Sequence, residues 1–192
     1  MKVIILGGFL GSGKTTFLLE LAKHISQKYK DEQTPLAIIE NEIGEISVDG
    51  ALLGNYKVTE LSAGCVCCTL AGDLTLAVKE IKENYEPRYI VIEATGMAYP
   101  DKIAQTVKQY AADDVVTVCL ADAQRWDELM DYMDVFVKSQ LKDAEVILLN
   151  KCDLVPSDVS ERIANEIRLI NPKAKTEKIS AKDGVDFSNF PL

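Results

Sequence analysis

Residues 8–15 read Gly-Phe-Leu-Gly-Ser-Gly-Lys-Thr, a full match to G-x-x-x-x-G-K-[ST], and no other stretch constrains the fold as tightly. The motif follows an apolar, β-branched run, Val3–Leu6. It leads into Phe17, Leu18, Leu21, Ala22 and Ile25, which fall on one face of a helix. A strand, a glycine-rich loop and a helix in that order form an anion cradle. Gly8, Gly11, Ser12 and Gly13 turn backbone N–H groups toward a polyphosphate, and the positive end of the helix faces the same point. Lys14 then reaches the β/γ-phosphates, the Thr15 hydroxyl holds Mg²⁺, and Thr16 continues the phosphate-contacting turn. The bland alternative is a glycine-rich turn in an ordinary α/β domain.

The remaining chain alternates apolar runs with helical patterns. Strands are expected at roughly 2–7, 35–40, 56–61, 88–94, 115–121, 145–150 and 175–179. Helices are expected at roughly 14–29, 70–84, 100–112, 125–142 and 157–170. Trp126, Leu129, Met130, Met133, Phe136, Val137 and Leu141 form one apolar stripe, and Val159, Ile163, Ile167 and Ile170 another; both read as core packing. Such alternation predicts an α/β fold with a mostly parallel sheet and helices on both faces. With 192 residues, one domain suffices. Ligands of such sheets lie at the carboxyl ends of the strands, so the residues just after each strand carry the chemistry.

After the second strand come Glu40-Asn41-Glu42-Ile43-Gly44-Glu45 and then Asp49-Gly50. These carboxylates suit Mg²⁺, a water or a second metal near the γ-phosphate; the same run also reads as a solvated acidic loop. After the third strand, Cys65, Cys67 and Cys68 fall within four residues, a spacing at which thiolates converge on one soft or borderline metal ion. Thr69 is a candidate N-cap for the next helix, whose dipole favours thiolate over thiol. After the fourth strand, Glu93-Ala94-Thr95-Gly96 places an acid where Mg²⁺ is supported and a glycine whose N–H can approach a γ-phosphate. After the sixth strand, Asn150-Lys151-Cys152-Asp153 is N-K-x-D. The Asp153 carboxylate can accept from guanine N1–H and N2–H₂ together, whereas adenine offers neither donor there. The Lys151 stem covers the base, Asn150 ties this loop to the phosphate loop, and Ser180-Ala181-Lys182 fits a second base-contacting loop.

Five cysteines, an odd number with three clustered, point to metal or redox chemistry more than to disulfides. Cys119 lies in an apolar run and reads as core, and His24, the lone histidine, as a surface residue. A formal net charge of −9 argues against nonspecific binding to nucleic acid or anionic lipid. The apolar start lacks a signal-peptide cleavage site, and no run approaches the ~20 apolar residues of a membrane span, so a cytoplasmic protein is expected.

Taken together, the stretches 7–16, 41–45 with Asp49-Gly50, 64–68, 93–96 with Pro100, 150–153 and 180–182 resemble the metal-chaperone GTPases of the CobW type. That group belongs with the urease and hydrogenase nickel-insertion GTPases. The resemblance covers almost the whole chain and implies the P-loop NTPase fold. It further implies GTP hydrolysis with Lys14, Thr15 and Glu93 as catalytic residues. Mg²⁺ would sit at Thr15, and zinc, cobalt or a similar ion at Cys65, Cys67 and Cys68 with Glu42 as helper. The ion would be delivered to a client metalloprotein or a cobalamin-related pathway. Members usually carry a second, C-terminal domain and many have a His-rich stretch, whereas this chain stops at Leu192 and has one histidine. A single GTPase domain over 1–192 is therefore expected, with client docking assigned to a separate C-terminal-domain-like partner, and a nucleotide-dependent dimer is one assembly to consider. Ala94 stands where members often carry Ser or Thr. Two other readings stay open: a phosphate-loop kinase acting on a small molecule, and a nucleotide-dependent metal sensor or scaffold with negligible turnover.

Overall fold

A computed structural model describes residues 1–40, 57–60, 70–112, 114–188 and 190–192. Seven strands form one sheet: β1 (Lys2–Gly8), β2 (Leu36–Glu40), β3 (Lys57–Glu60), β4 (Tyr89–Glu93), β5 (Val115–Asp122), β6 (Val146–Asn150) and β7 (Lys175–Lys178). Five helices connect or flank them: α1 (Lys14–Lys28), α2 (Leu70–Tyr85), α3 (Pro100–Tyr110), α4 (Trp126–Leu141) and α5 (Ser157–Ile170). The strand order is β3-β2-β4-β1-β5-β6-β7, and every pairing of these strands is parallel. The central strands are apolar on both faces because both faces are covered; β4, β5 and β6 are buried throughout. β7, Lys-Thr-Glu-Lys, closes one edge with polar side chains that discourage further strand addition.

The two faces are covered differently. On one, Ile4, Leu6, Leu36, Ile38, Val91, Val118 and Leu148 pack against Phe17, Leu18, Leu21 and Ile25 of α1 and against Phe187 and Phe190 near the end of the chain. Phe17 is fully buried there with ring centroids 5.7 Å and 5.6 Å from Phe187 and Phe190, so truncating it to Ala costs about 3–5 kcal/mol. The opposite face carries α2 and α3 over β1, β2 and β4, and α4 and α5 over β5 and β6. Cys119 belongs to that second core; burial pushes its thiol up to about 12, and its Sγ donates to the Gln140 carbonyl at 3.1 Å.

His24 departs from the surface reading. It is half-buried, with its ring 4.9 Å from that of Phe187 at an interplanar angle of 35°. The polar residues beside it in sequence concealed this contact, because Phe187 arrives from the far end of the chain. The α4 stripe holds for Trp126, Leu129, Val137 and Leu141, which are buried, but the helix is kinked at Met133 (φ −140, ψ 28). Among the described residues, no helix is long and apolar enough to cross a membrane.

Candidate functional site

The strand order reverses direction about β1, with β4 on one side and β5 on the other, and a doubly wound sheet opens a crevice at that point. The glycine-rich loop fills the mouth of it. β1 ends at Gly8, the Ser12 N–H closes the loop onto the Phe9 carbonyl at 3.1 Å, and α1 begins at Lys14. Gly13, at the helix N-cap, has φ +97, and a Cβ there would lie 2.3 Å from Asn150 Nδ2. A glycine is needed on both counts. Lys14 is 4% exposed and its Nζ donates to the Gly8 carbonyl at 3.2 Å, so the side chain folds back over the loop. Ser12 is buried, and its Oγ makes no hydrogen bond among the described residues.

On the β4 side, Leu6 is the register partner of Glu93, which brings the last residue of β4 level with the start of the loop. The Thr15 hydroxyl donates to Glu93 Oε1 at 3.1 Å. Glu93 is 4% exposed. Two oxygen donors of this kind, one hydroxyl and one carboxylate, fit the hard-donor preference of Mg²⁺. Gly96 lies against the phosphate loop: a Cβ on it would come within 2.6 Å of the Leu10 backbone nitrogen.

On the β5 side, Asp122 and Asn150 are register partners at the ends of β5 and β6. Asn150 is buried. Its Nδ2 donates to the Ser12 carbonyl at 2.8 Å, and its Oδ1 accepts from the Ala181 N–H at 2.9 Å. One side chain therefore joins the phosphate loop, the N-K-x-D loop and the loop at Ser180–Lys182. Lys151, at φ 63, forms an ion pair with Asp122 at 2.7 Å. Asp153 is the middle residue of a short 3₁₀ turn, Cys152–Leu154. Proximity of the Ser180 hydroxyl, then of the Lys182 ammonium 3.3 Å from Oδ2, holds the Asp153 carboxyl below the usual carboxylate range. Ser180 Oγ itself donates to Asp183 Oδ2 at 2.6 Å.

Three residues here escaped the motif reading. Asp122 anchors Lys151 and also accepts from the Gln124 and Arg125 N–H groups at 3.0 Å and 3.3 Å, which holds the entry to α4. Arg125 Nη1 donates to the Leu10 carbonyl at 3.3 Å. Gln140, buried near the C-terminal end of α4, reaches the carbonyls of Gly96 and Ala98. A buried polar residue closing an apolar strand, or interrupting an apolar helix stripe, was the available signal for Asp122 and Gln140.

Cys65, Cys67, Cys68, Glu42 and the rest of the acidic and cysteine segments lie outside the described residues. Their points of departure do not. β2 ends at Glu40 and β3 at Glu60; these two are register partners, and Glu40 also pairs with Glu93. Among the described residues, no group of three or more His, Cys, Asp or Glu side chains is arranged to hold a metal. Cys152 is an inward, hydrogen-bonded thiol, donating to the Leu149 carbonyl at 3.2 Å, and burial raises its pKa.

The sequence family described as "CobW/HypB/UreG, nucleotide-binding domain" matches residues 2–178. Zinc chaperone YjiA of Escherichia coli (strain K12) is 34% identical over 197 residues, which covers 95% of this chain and 58% of that protein. Zinc-regulated GTPase metalloprotein activator 1 of Dictyostelium discoideum is 30% identical over 219 residues, covering 91% of this chain and 45% of the relative. The chain thus spans about half the length of the curated relatives it matches. Among solved structures, the hydrogenase maturation factor HypB from Archaeoglobus fulgidus aligns with a TM-score of 0.68 at 18% identity, over 99% of this chain and 86% of that one. HypB from Helicobacter pylori, in complex with nickel, aligns at 0.64 and 19%, over 95% and 80%. At such identities these two establish the shared fold.

Proposed function

The chain belongs to the CobW/HypB/UreG family of nucleotide-binding domains, and from that premise we propose that it binds and hydrolyses GTP and couples the cycle to binding and release of a transition metal for a client metalloprotein. The observation that carries the nucleotide half is Asn150, whose two hydrogen bonds tie the phosphate loop to both base-side loops. The contacts assigned to nucleotide are Gly8, Gly11, Ser12, Gly13, Lys14, Thr15, Thr16, Gly96, Asn150, Lys151, Asp153, Ser180 and Ala181. Asp153 reads the guanine edge, and Lys151, pinned by Asp122, lies along the base. Lys14 holds the β- and γ-phosphates. Thr15 and Glu93 would hold Mg²⁺, which would supply positive charge against the phosphates for phosphoryl transfer. A small-molecule kinase would leave N-K-x-D and the clustered cysteines without a role.

The metal half rests on sequence and family. Cys65, Cys67 and Cys68, with Glu42, form the proposed ligand set. Relatives named zinc chaperones put zinc ahead of cobalt as the cargo. The register of Glu40, Glu60 and Glu93 supports proximity, because both segments leave the sheet beside the strand end that faces the phosphates. A cytoplasmic location and a client metalloprotein as partner belong to the same proposal, and the net charge of −9 supports a partner other than nucleic acid.

The test is nucleotide choice. GTP and GDP are expected to bind at least a hundredfold more tightly than ATP and ADP, and Lys14→Ala should remove most GTP turnover. Equal affinity for ATP and GTP, or parental hydrolysis in Lys14→Ala, would remove the assignment.

A further inference from the structure

Gln140 sits on the buried face of α4, 4% exposed, between Val137 and Leu141. A polar side chain in that stripe must be hydrogen-bonded or costs the fold dearly. Its Nε2 donates to the Ala98 carbonyl at 2.8 Å and to the Gly96 carbonyl at 3.2 Å. Two carbonyl acceptors on one side fix the amide orientation, since only the NH₂ group can serve both. One turn earlier on α4, Phe136 packs edge-on against Phe9 of the phosphate loop, centroids 6.2 Å apart, and against Tyr99, 5.3 Å apart. Phe136 and Gln140 are i and i+4, so they grip from one helix face. Between them they hold the segment after β4 by hydrogen bonds and the phosphate loop by ring packing.

What the grip achieves is set by Gly96, which approaches the Leu10 backbone so closely that a Cβ would not fit. A shift of a few tenths of an ångström in the 96–98 backbone changes that approach. The Gln140 main chain is itself held, its carbonyl accepting from Cys119 Sγ of β5. α4 is moored at its other end by Trp126 Nε1, which donates to Glu166 Oε2 of α5 at 2.7 Å.

We infer that Gln140 is a positioning residue that keeps Gly96 against the phosphate loop and so sets how strongly the site distinguishes GTP from GDP. The inference rests on the nucleotide reading above. Only a nucleotide with a γ-phosphate uses the Gly96 position; GDP is held by the loop and the base-side residues, whereas the hydrogen bonds of the Gln140 side chain go to the Gly96 and Ala98 carbonyls. Removing the two donors releases the 96–98 backbone and weakens the triphosphate state selectively.

The experiment compares the parent with Gln140→Met, which keeps volume and loses both donors, and Gln140→Glu, which sets acceptors against the two carbonyls. Affinities for GDP and for a non-hydrolysable GTP analogue are measured by calorimetry with Mg²⁺ present. In Gln140→Met, GDP affinity should stay within about twofold and analogue affinity should fall about tenfold; in Gln140→Glu the analogue should fall further. Parallel losses for both nucleotides, an unchanged or raised analogue affinity, or loss of GDP binding in both variants would assign Gln140 to the fold alone and overturn the inference. Failure of the parent to bind any guanine nucleotide would instead remove the functional reading beneath it, and the parent titration separates the two results.

Discussion

The two sides of β1 hold the same loop by different means. Toward β5 and β6, buried side chains reach between loops: Asn150 bridges Ser12 and Ala181, and Asp122 pins Lys151. Each bond there runs to a main-chain group or to a nearly buried carboxylate, so the base-side loops are held whether or not a base is present. Toward β4, among the described residues, the loop meets a hydroxyl–carboxylate bond, Thr15 to Glu93, and a steric contact, Gly96 against Leu10. Gln140 holds that contact from outside the site. Preorganisation on one side gives recognition that is independent of the phosphate count. On the proposed reading, the β4 side is where a missing γ-phosphate would change the structure. On that reading the same fold would separate what is bound from which state it is in.

Removing Asn150 attacks the comparison at its strongest point. Asn150→Ala leaves the Ala181 N–H and the Ser12 carbonyl without their partner in a buried setting, a loss of about 2–4 kcal/mol. Thermal unfolding should shift down, and GDP and the GTP analogue should both weaken, by about a hundredfold or more. A selective effect on one nucleotide would break the division between the two sides.

Asp153→Asn sharpens it. An amide can donate where xanthine presents an oxygen, so preference should move from guanine to xanthine nucleotides by about a hundredfold, equally for di- and triphosphates. The carboxylate also fixes the pH dependence. Because the Asp153 pKa is lowered in the folded protein, its charge is complete above the ordinary carboxylate value of ~3.9 and is lost only as pH falls through the lowered value. Guanine affinity followed from pH 8 to pH 5 should therefore stay flat. A titration within that range would assign recognition to another group.

The smallest effect belongs to the β4 side. Thr15→Ala removes the hydroxyl that reaches Glu93 and should raise the Mg²⁺ concentration needed for half-maximal turnover about tenfold. GDP binding without Mg²⁺ should be nearly unaffected. Equal weakening of GDP with and without Mg²⁺ would show that Thr15 serves the loop rather than the ion.

Much of this division was legible in the residue order. The strands β1, β2, β4, β5 and β6 follow from apolar runs, because a parallel sheet covered on both faces demands them, whereas the edge strands β3 and β7 carry polar residues. Gly13 and Asn150 were legible for the same kind of reason: each belongs to a motif whose spacing is local. Asp122, Arg125 and Gln140 were not, since their partners Lys151, Leu10 and Gly96 lie 29, 115 and 44 residues away. Those contacts exist only because β5 sits beside both β1 and β6, and strand order carries no local signature. His24 is the same case in reverse: its neighbours in sequence are polar, and its aromatic partner Phe187 is brought by the terminal segment.

The most direct test of the account is zinc affinity measured by competition with a chromophoric chelator, once with GDP bound and once with a non-hydrolysable GTP analogue. The account predicts binding about tenfold tighter in the analogue state, ~1.4 kcal/mol of coupling, with zinc tightening the analogue by the same factor. Both effects should vanish in Cys67→Ser with Cys68→Ser, while nucleotide affinity without zinc stays unchanged. Equal zinc affinity in the two nucleotide states would contradict the coupling at the centre of the proposal.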